Sequence, residues 1–186
     1  RNREIFMNNP FLEYIDALKD ASTEKQFVNF KTSWDKYKKI IILGNGGSNS
    51  VASHISQDYV KFHNKKSIVF SDPSMLTCFI NDFGMDNAYS KFLKFYADKD
   101  TLCILISSGG ESNNILNCIN FCEKNFIPYG ILTGFNPKNK ARLISKNALW
   151  DYHIKSTSYG IVECVHQIFL HAVVWDIVLI SMVLFA

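Results

Sequence analysis

Two short stretches of this 186-residue sequence combine glycine with small polar residues directly after an apolar run. The first is Gly44-Asn45-Gly46-Gly47-Ser48. The second is Ser107-Ser108-Gly109-Gly110-Glu111-Ser112. Glycine lets the backbone approach a ligand closely, and a following helix N-terminus offers unpaired N–H groups and a partial positive charge. The second stretch adds three hydroxyls. Either stretch alone also reads as a tight turn between strand and helix. Two of them at neighbouring strand ends point to an anion site, with Asn45, Gly46, Gly47, Ser48, Ser107, Ser108, Gly109 and Ser112 as candidate contacts. The glycine spacing is not GxGxxG, and no Lys-Ser/Thr follows it as in a Walker A loop. A sugar phosphate therefore fits better than a nucleotide phosphate.

A second group of residues has metal-ligand chemistry. His54 and Asp58 lie four apart in a helix-like segment, so they share one face. Glu163, His166 and His171 interrupt an otherwise apolar segment near the C-terminus. Taken singly, each also reads as a satisfied core or interface polar group. Together, His54, Asp58, Glu163 and His171 supply two imidazoles and two carboxylates, a set that suits zinc. Spacing alone does not join the two segments.

Both groups need a scaffold that brings strand ends together. Residues 10–21 and 23–38 read as amphipathic helices, with Pro10 opening the first and Thr23 a candidate N-cap of the second. Strands are expected at 40–43, 67–70, 101–106, 128–132 and 148–154. Helices are expected at 48–63, 74–80, 86–97 and 112–125, briefly after Pro137, and from about residue 160. The continuous apolar run at 40–43 is the pattern of a strand buried on both faces. Alternating strands and helices predict an α/β fold, a doubly wound parallel sheet of five strands in one domain, with 1–38 an N-terminal helical region and 39–186 the core. Ligands then bind beyond the carboxyl ends of the strands.

The net charge is only +3, with no block of like charges, so no nucleic-acid partner is expected. The five cysteines include no CxxC pair and read as reduced thiols of a cytoplasmic protein. The N-terminal stretch lacks the apolar core of a signal peptide. The apolar C-terminal run 172–186 is short and carries Asp176. It reads as a buried or subunit-interface helix rather than a membrane anchor.

The sequence resembles the phosphoheptose isomerases of the sugar isomerase (SIS) class. The resemblance is carried by Gly44–Ser48, His54, Ser71-Asp72, Asn81-Asp82-Phe83-Gly84, Ile106-Ser107-Ser108 with Ser112, and the spacing of Glu163, His166 and His171. It implies a flavodoxin-like sheet and a homotetramer with active sites at subunit interfaces. It further implies a phosphosugar substrate, contacts from Asn81 and Asp82, and a zinc ion held by His, Glu, Gln and His. Mapped here, the two histidines are His54 and His171. The family's metal-binding base Glu falls on Asp58, and its Gln falls on Glu163 through a one-residue deletion after Tyr159. The family's third loop serine falls on Gly109, and its Asn on Glu111.

The implied reaction is aldose–ketose isomerisation of sedoheptulose 7-phosphate. Asp58 or Glu163 would take the carbon-bound proton and His171 would shuttle the second, beside a Lewis-acidic metal. Retention of His54 and His171 favours an enzyme. The changes at Asp58, Gly109 and Glu163 leave open a SIS-type phosphosugar-binding or protein-interaction module without turnover, and an isomerase of another phosphosugar.

Overall fold

The computed structural model of the chain describes residue 9, residues 11–20 and residues 24–184, and the side chains of these except at 20, 24 and 175–184. Pro10, Thr23, Phe6 and the Asp176 side chain lie outside the described residues. Helices α1 (Phe11–Asp20) and α2 (Glu24–Lys36) precede strand β1 (Lys39–Leu43) and helix α3 (Gly47–His63). Then follow β2 (Lys66–Val69), α4 (Pro73–Phe83), α5 (Met85–Tyr96), β3 (Thr101–Ser107) and α6 (Asn113–Asn125). The chain continues through β4 (Tyr129–Gly134), α7 (Lys140–Ile144), β5 (Asp151–Ile154) and α8 (Tyr159–Leu184). All neighbouring strands pair in parallel, in the order β2-β1-β3-β4-β5. The chain reverses its direction of winding between β1 and β3, so those two strand ends border the crevice where such sheets take ligands.

Period-two alternation sets both cores. Ile40 and Ile42 of β1, with Leu102, Ile104 and Ile106 of β3, face α2, α3 and α8. Ile41 and Leu43, with Cys103 and Leu105, face α5 and α6. Burial on both faces is what made these strands read as unbroken apolar runs. The expected strand 148–154 shortens to Asp151–Ile154 at the sheet edge, where the first strand N–H, that of Asp151, donates to the Gln26 side chain of α2 at 2.9 Å.

The aromatic residues of the N-terminal helices divide. Phe11 is exposed, whereas Phe30 and Trp34 are buried in the chain's own core. α2 is therefore a core helix. Phe30 stacks on Phe169 of α8 at 5.0 Å, and Phe169 stacks on Tyr152 of β5 at 3.8 Å. Phe169 thereby joins α2, β5 and α8. Among the described residues no helix is long and apolar enough to cross a membrane.

Phe169→Ala should lower stability by about 3–5 kcal/mol, as emptying a core aromatic site does. A urea titration followed by circular dichroism reads this as a reduced midpoint.

Candidate active site at the switch point

The glycine stretch leaves β1 and enters α3 through Gly46, whose φ of 52° lies in the left-handed region. Only glycine takes this conformation without strain. Gly110 plays the same part in the serine stretch after β3, with φ 68°. A methyl group there would also overlap Asn139. The two loops are tied across the crevice. Asn45 and Asn114 exchange a pair of amide hydrogen bonds at 2.9 and 2.8 Å, and the Ser48 and Ser108 hydroxyls lie 3.5 Å apart. The serine loop is docked on β4 by Gly134 N–H donating to Ser108 O at 2.8 Å.

Between the loops is a cavity of about 450 Å³ lined by Asn45, Gly46, Gly47, Ser48, Ser107, Ser108, Gly109 and Ser112. These are the loop residues expected from the sequence. Ile106, Glu111, Tyr159 and Glu163 complete the lining. Helix capping is uneven, and the N-termini of α3, α5 and α6 all lack a side-chain cap. The N-termini of α4 and α7 are capped by Asp72 and Asn139, which accept backbone N–H groups. The N-termini of α3 and α6, which open on the cavity, have no side-chain cap. At the head of α6 the Ser107 hydroxyl donates to that of Ser112 at 3.3 Å. Such N-termini leave their donors for an anion.

Glu111 also faces the cavity, but its charge is already matched. Its carboxylate accepts the Lys140 backbone N–H and pairs with the Lys140 ammonium, both at 3.0 Å, which holds its pKa below the usual carboxylate range.

The metal-type residues meet where α8 runs beside α3. His171 Nε2 donates to Asp58 Oδ2 at 3.0 Å, and His54 Nε2 lies 3.6 Å from the same oxygen. The three donor atoms fall within 4.8 Å of one another. Two imidazoles and a carboxylate converging on one point fit a divalent ion with a position left open.

Glu163 is not among the three residues that converge here within one chain. It lies eight residues before His171 on α8, a rise of about 12 Å. Its carboxylate instead lies against Gly47, where any methyl group would overlap it. Burial raises its pKa. Asn81 and Asp82 are also placed elsewhere. They are exposed on α4, bonded to each other at 2.9 Å, and line no part of this cavity. The NDF segment closes α4 at Gly84, which explains its small and polar residues locally.

His166 turns inward on α8. Its Nε2–H donates to Thr133 O at 3.0 Å and it is fully buried. It stays away from the metal-type cluster.

No family model matches the chain. A phosphoheptose isomerase of Buchnera aphidicola is 32% identical over 131 residues, covering 68% of this chain and 67% of its own length. The chain belongs to the phosphoheptose isomerase family. A second member, from Fusobacterium nucleatum, is 29% identical over 172 residues, 88% of this chain and 84% of the relative. The fold matches that of phosphoheptose isomerase from Neisseria gonorrhoeae with a TM-score of 0.82 at 22% identity, over 90% of this chain and 94% of the other.

Burial holds the His166 pKa down to about 4 in the folded chain, below the ordinary value of about 6.5. The unfolded chain therefore binds this proton more readily. Stability contributed by neutral His166 is complete above pH ~6.5 and falls as pH drops toward 4, by on the order of 3 kcal/mol. Urea midpoints measured between pH 7 and 4.5 should fall, and His166→Gln should flatten the part of that slope due to this residue.

Proposed function

We propose that this protein is an aldose–ketose isomerase of a phosphosugar, converting sedoheptulose 7-phosphate to D-glycero-D-manno-heptose 7-phosphate for heptose-containing surface polysaccharide. The observation that carries this reading is the placement of the two sites on one helix. Gly47 of the anion cavity and His54 of the metal-type cluster lie seven residues apart on α3. That is two turns on the same face, about 10 Å. An extended chain advances about 1.2 Å per bond, so the eight bonds from C1 to phosphorus of a heptose 7-phosphate span about 10 Å. A phosphate seated at Ser107, Ser108 and Ser112 thus puts C1 and C2 beside His54, Asp58 and His171.

Zinc is the ion we assign to His54, Asp58 and His171, because imidazole donors favour it over magnesium. When bound it polarises the sugar carbonyl and the neighbouring hydroxyl. The protein's own groups do the rest. The loop hydroxyls and the amides of α3 and α6 hold the phosphate. Asp58 Oδ2 is shared by the two histidines, which leaves Oδ1 to take the carbon-bound proton at C2 or C1. His171 carries the second proton between O1 and O2 through the ring nitrogen that the metal would leave free. Closure of both ends on one substrate fixes the reacting carbons, a contribution that a shift of about 1 Å would reduce on the order of 100-fold.

We place the protein in the cytoplasm, since its described cysteines are all free thiols. We also assign it a homotetrameric assembly. Helix α4 leaves Met75, Leu76, Phe79 and Ile80 only partly covered by the core, and α1 exposes Phe11, Leu12 and Ile15. Light scattering at micromolar concentration should give a mass of four chains; a stable monomer would refute the assembly.

Three measurements test the function. Purified protein supplied with zinc should turn over sedoheptulose 7-phosphate, and no turnover with or without zinc would refute the reading. His171→Ala should abolish turnover and leave phosphate binding intact, while Asp58→Glu should hold or raise activity. Replacing Ser108 and Ser112 together by Ala should weaken phosphosugar binding by about 10-fold or more per lost charged hydrogen bond.

A further inference from the structure

The cavity lining holds two carboxylates, those of Glu111 and Glu163, and no lysine or arginine. Glu163 lies on the far side, against Gly47. Glu111 belongs to the serine loop, one residue before Ser112. The start of α7 grips the loop at this point. Ala141 N–H donates to Gly110 O at 2.9 Å, and Lys140 N–H donates to Glu111 Oε1 at 3.0 Å. The Lys140 ammonium pairs with the other carboxylate oxygen, Oε2, also at 3.0 Å. Both oxygens of Glu111 are thus drawn toward α7, while Lys140 stays outside the cavity lining.

The Lys140 and Glu111 side chains are 65% and 51% exposed. An ion pair so open to water contributes little to stability. Its effect on the cavity is larger. The Ser107, Ser108 and Ser112 hydroxyls and the free amides of α3 and α6 are neutral donors. An unmatched carboxylate among them would repel a phosphate dianion, and no basic residue in the lining opposes that repulsion. Resting on the reading of the cavity as a phosphosugar site, we propose that Lys140 is a positioning residue for phosphate recognition: it holds the Glu111 carboxylate toward α7 and cancels its charge, so that the serine loop offers the anion a donor wall without a free negative charge. Lys140 acts through Glu111 and does not touch the ligand.

The test uses the full chain carrying Lys140→Met, Glu111→Gln or both. Calorimetry follows inorganic phosphate and zinc, and turnover is measured with sedoheptulose 7-phosphate. Lys140→Met should weaken phosphate by about 10-fold at low ionic strength, and by less as salt is added. Glu111→Gln keeps an oxygen for the Lys140 N–H and removes the charge, so phosphate affinity should hold or tighten. The double variant should recover the affinity lost in Lys140→Met. In turnover Lys140→Met should raise KM rather than lower kcat, and zinc affinity should be the same in all variants. The proposal is overturned if Lys140→Met binds phosphate as the unaltered protein does. It is equally overturned if the double variant stays as weak as Lys140→Met, because Lys140 would then hold the anion directly. A loss in Glu111→Gln as large as that in Lys140→Met would reduce the pair to a brace for the loop and overturn it as well. These three outcomes leave the phosphosugar reading standing, whereas failure of the unaltered protein to bind phosphate would overturn both.

Discussion

Where α8 meets the first turn of α3, the Glu163 carboxylate fills the space that a side chain at residue 47 would take. From that contact the two helices run side by side in the same direction. Glu163 lies at Gly47, the His171 ring stands 5.0 Å from that of His54, Tyr59 donates its hydroxyl to Leu170 O at 2.9 Å, and His63 Nε2 donates to Val174 O at 3.0 Å. Parallel helices rise at the same rate, so a separation fixed on one is reproduced on the other. The distance between the anion cavity and the His54–Asp58–His171 cluster is therefore a property of helix geometry rather than of loops. It depends on the core that seats α8, where Phe169, Phe30, Tyr152 and Trp150 interlock.

Much of this was legible in the amino-acid order. The strands announced themselves because both faces of β1 and β3 are buried, and the helices because their apolar residues recur at helical spacing. The two loops were legible because glycine beside serine at a strand end has few other uses. Contacts between distant segments were not. Glu163 and His171 share a helix and both are polar in an apolar stretch, which suggests one site, yet a rise of about 12 Å divides them. Asn81 and Asp82 carry a family pattern, but in this chain they sit on an exposed helix end. Tyr159 gave no sign of its place at the cavity, nor Asn114 of its bonds to Asn45. Asn114 matters through its exchange with Asn45, and such a pair is recognisable only once β1 and β3 are known to be neighbours.

As a proposed phosphate site, the cavity has no lysine or arginine among its described lining residues. Oriented amides and hydroxyls act as fixed dipoles that need no reorganisation when an anion arrives. Lys140 is engaged by Glu111, and this pair anchors the start of α7 rather than adding net charge to the pocket.

Leaving α3 and α6 uncapped has a consequence for the molecule as a whole. Gly46 at the cap of α3 costs a few tenths of a kcal/mol against Ser or Asp, and the unbonded Ser112 cap of α6 up to about 1 kcal/mol, so the ligand-free chain holds a modest deficit at the centre of its sheet. The anion that makes up this deficit does so only in the folded state. Occupancy and folding are then the same equilibrium viewed from two sides: ligand at a hundredfold over its dissociation constant deepens the native well by about 2.7 kcal/mol. A phosphosugar seated in the proposed site would thus stabilise the fold as well as occupy it.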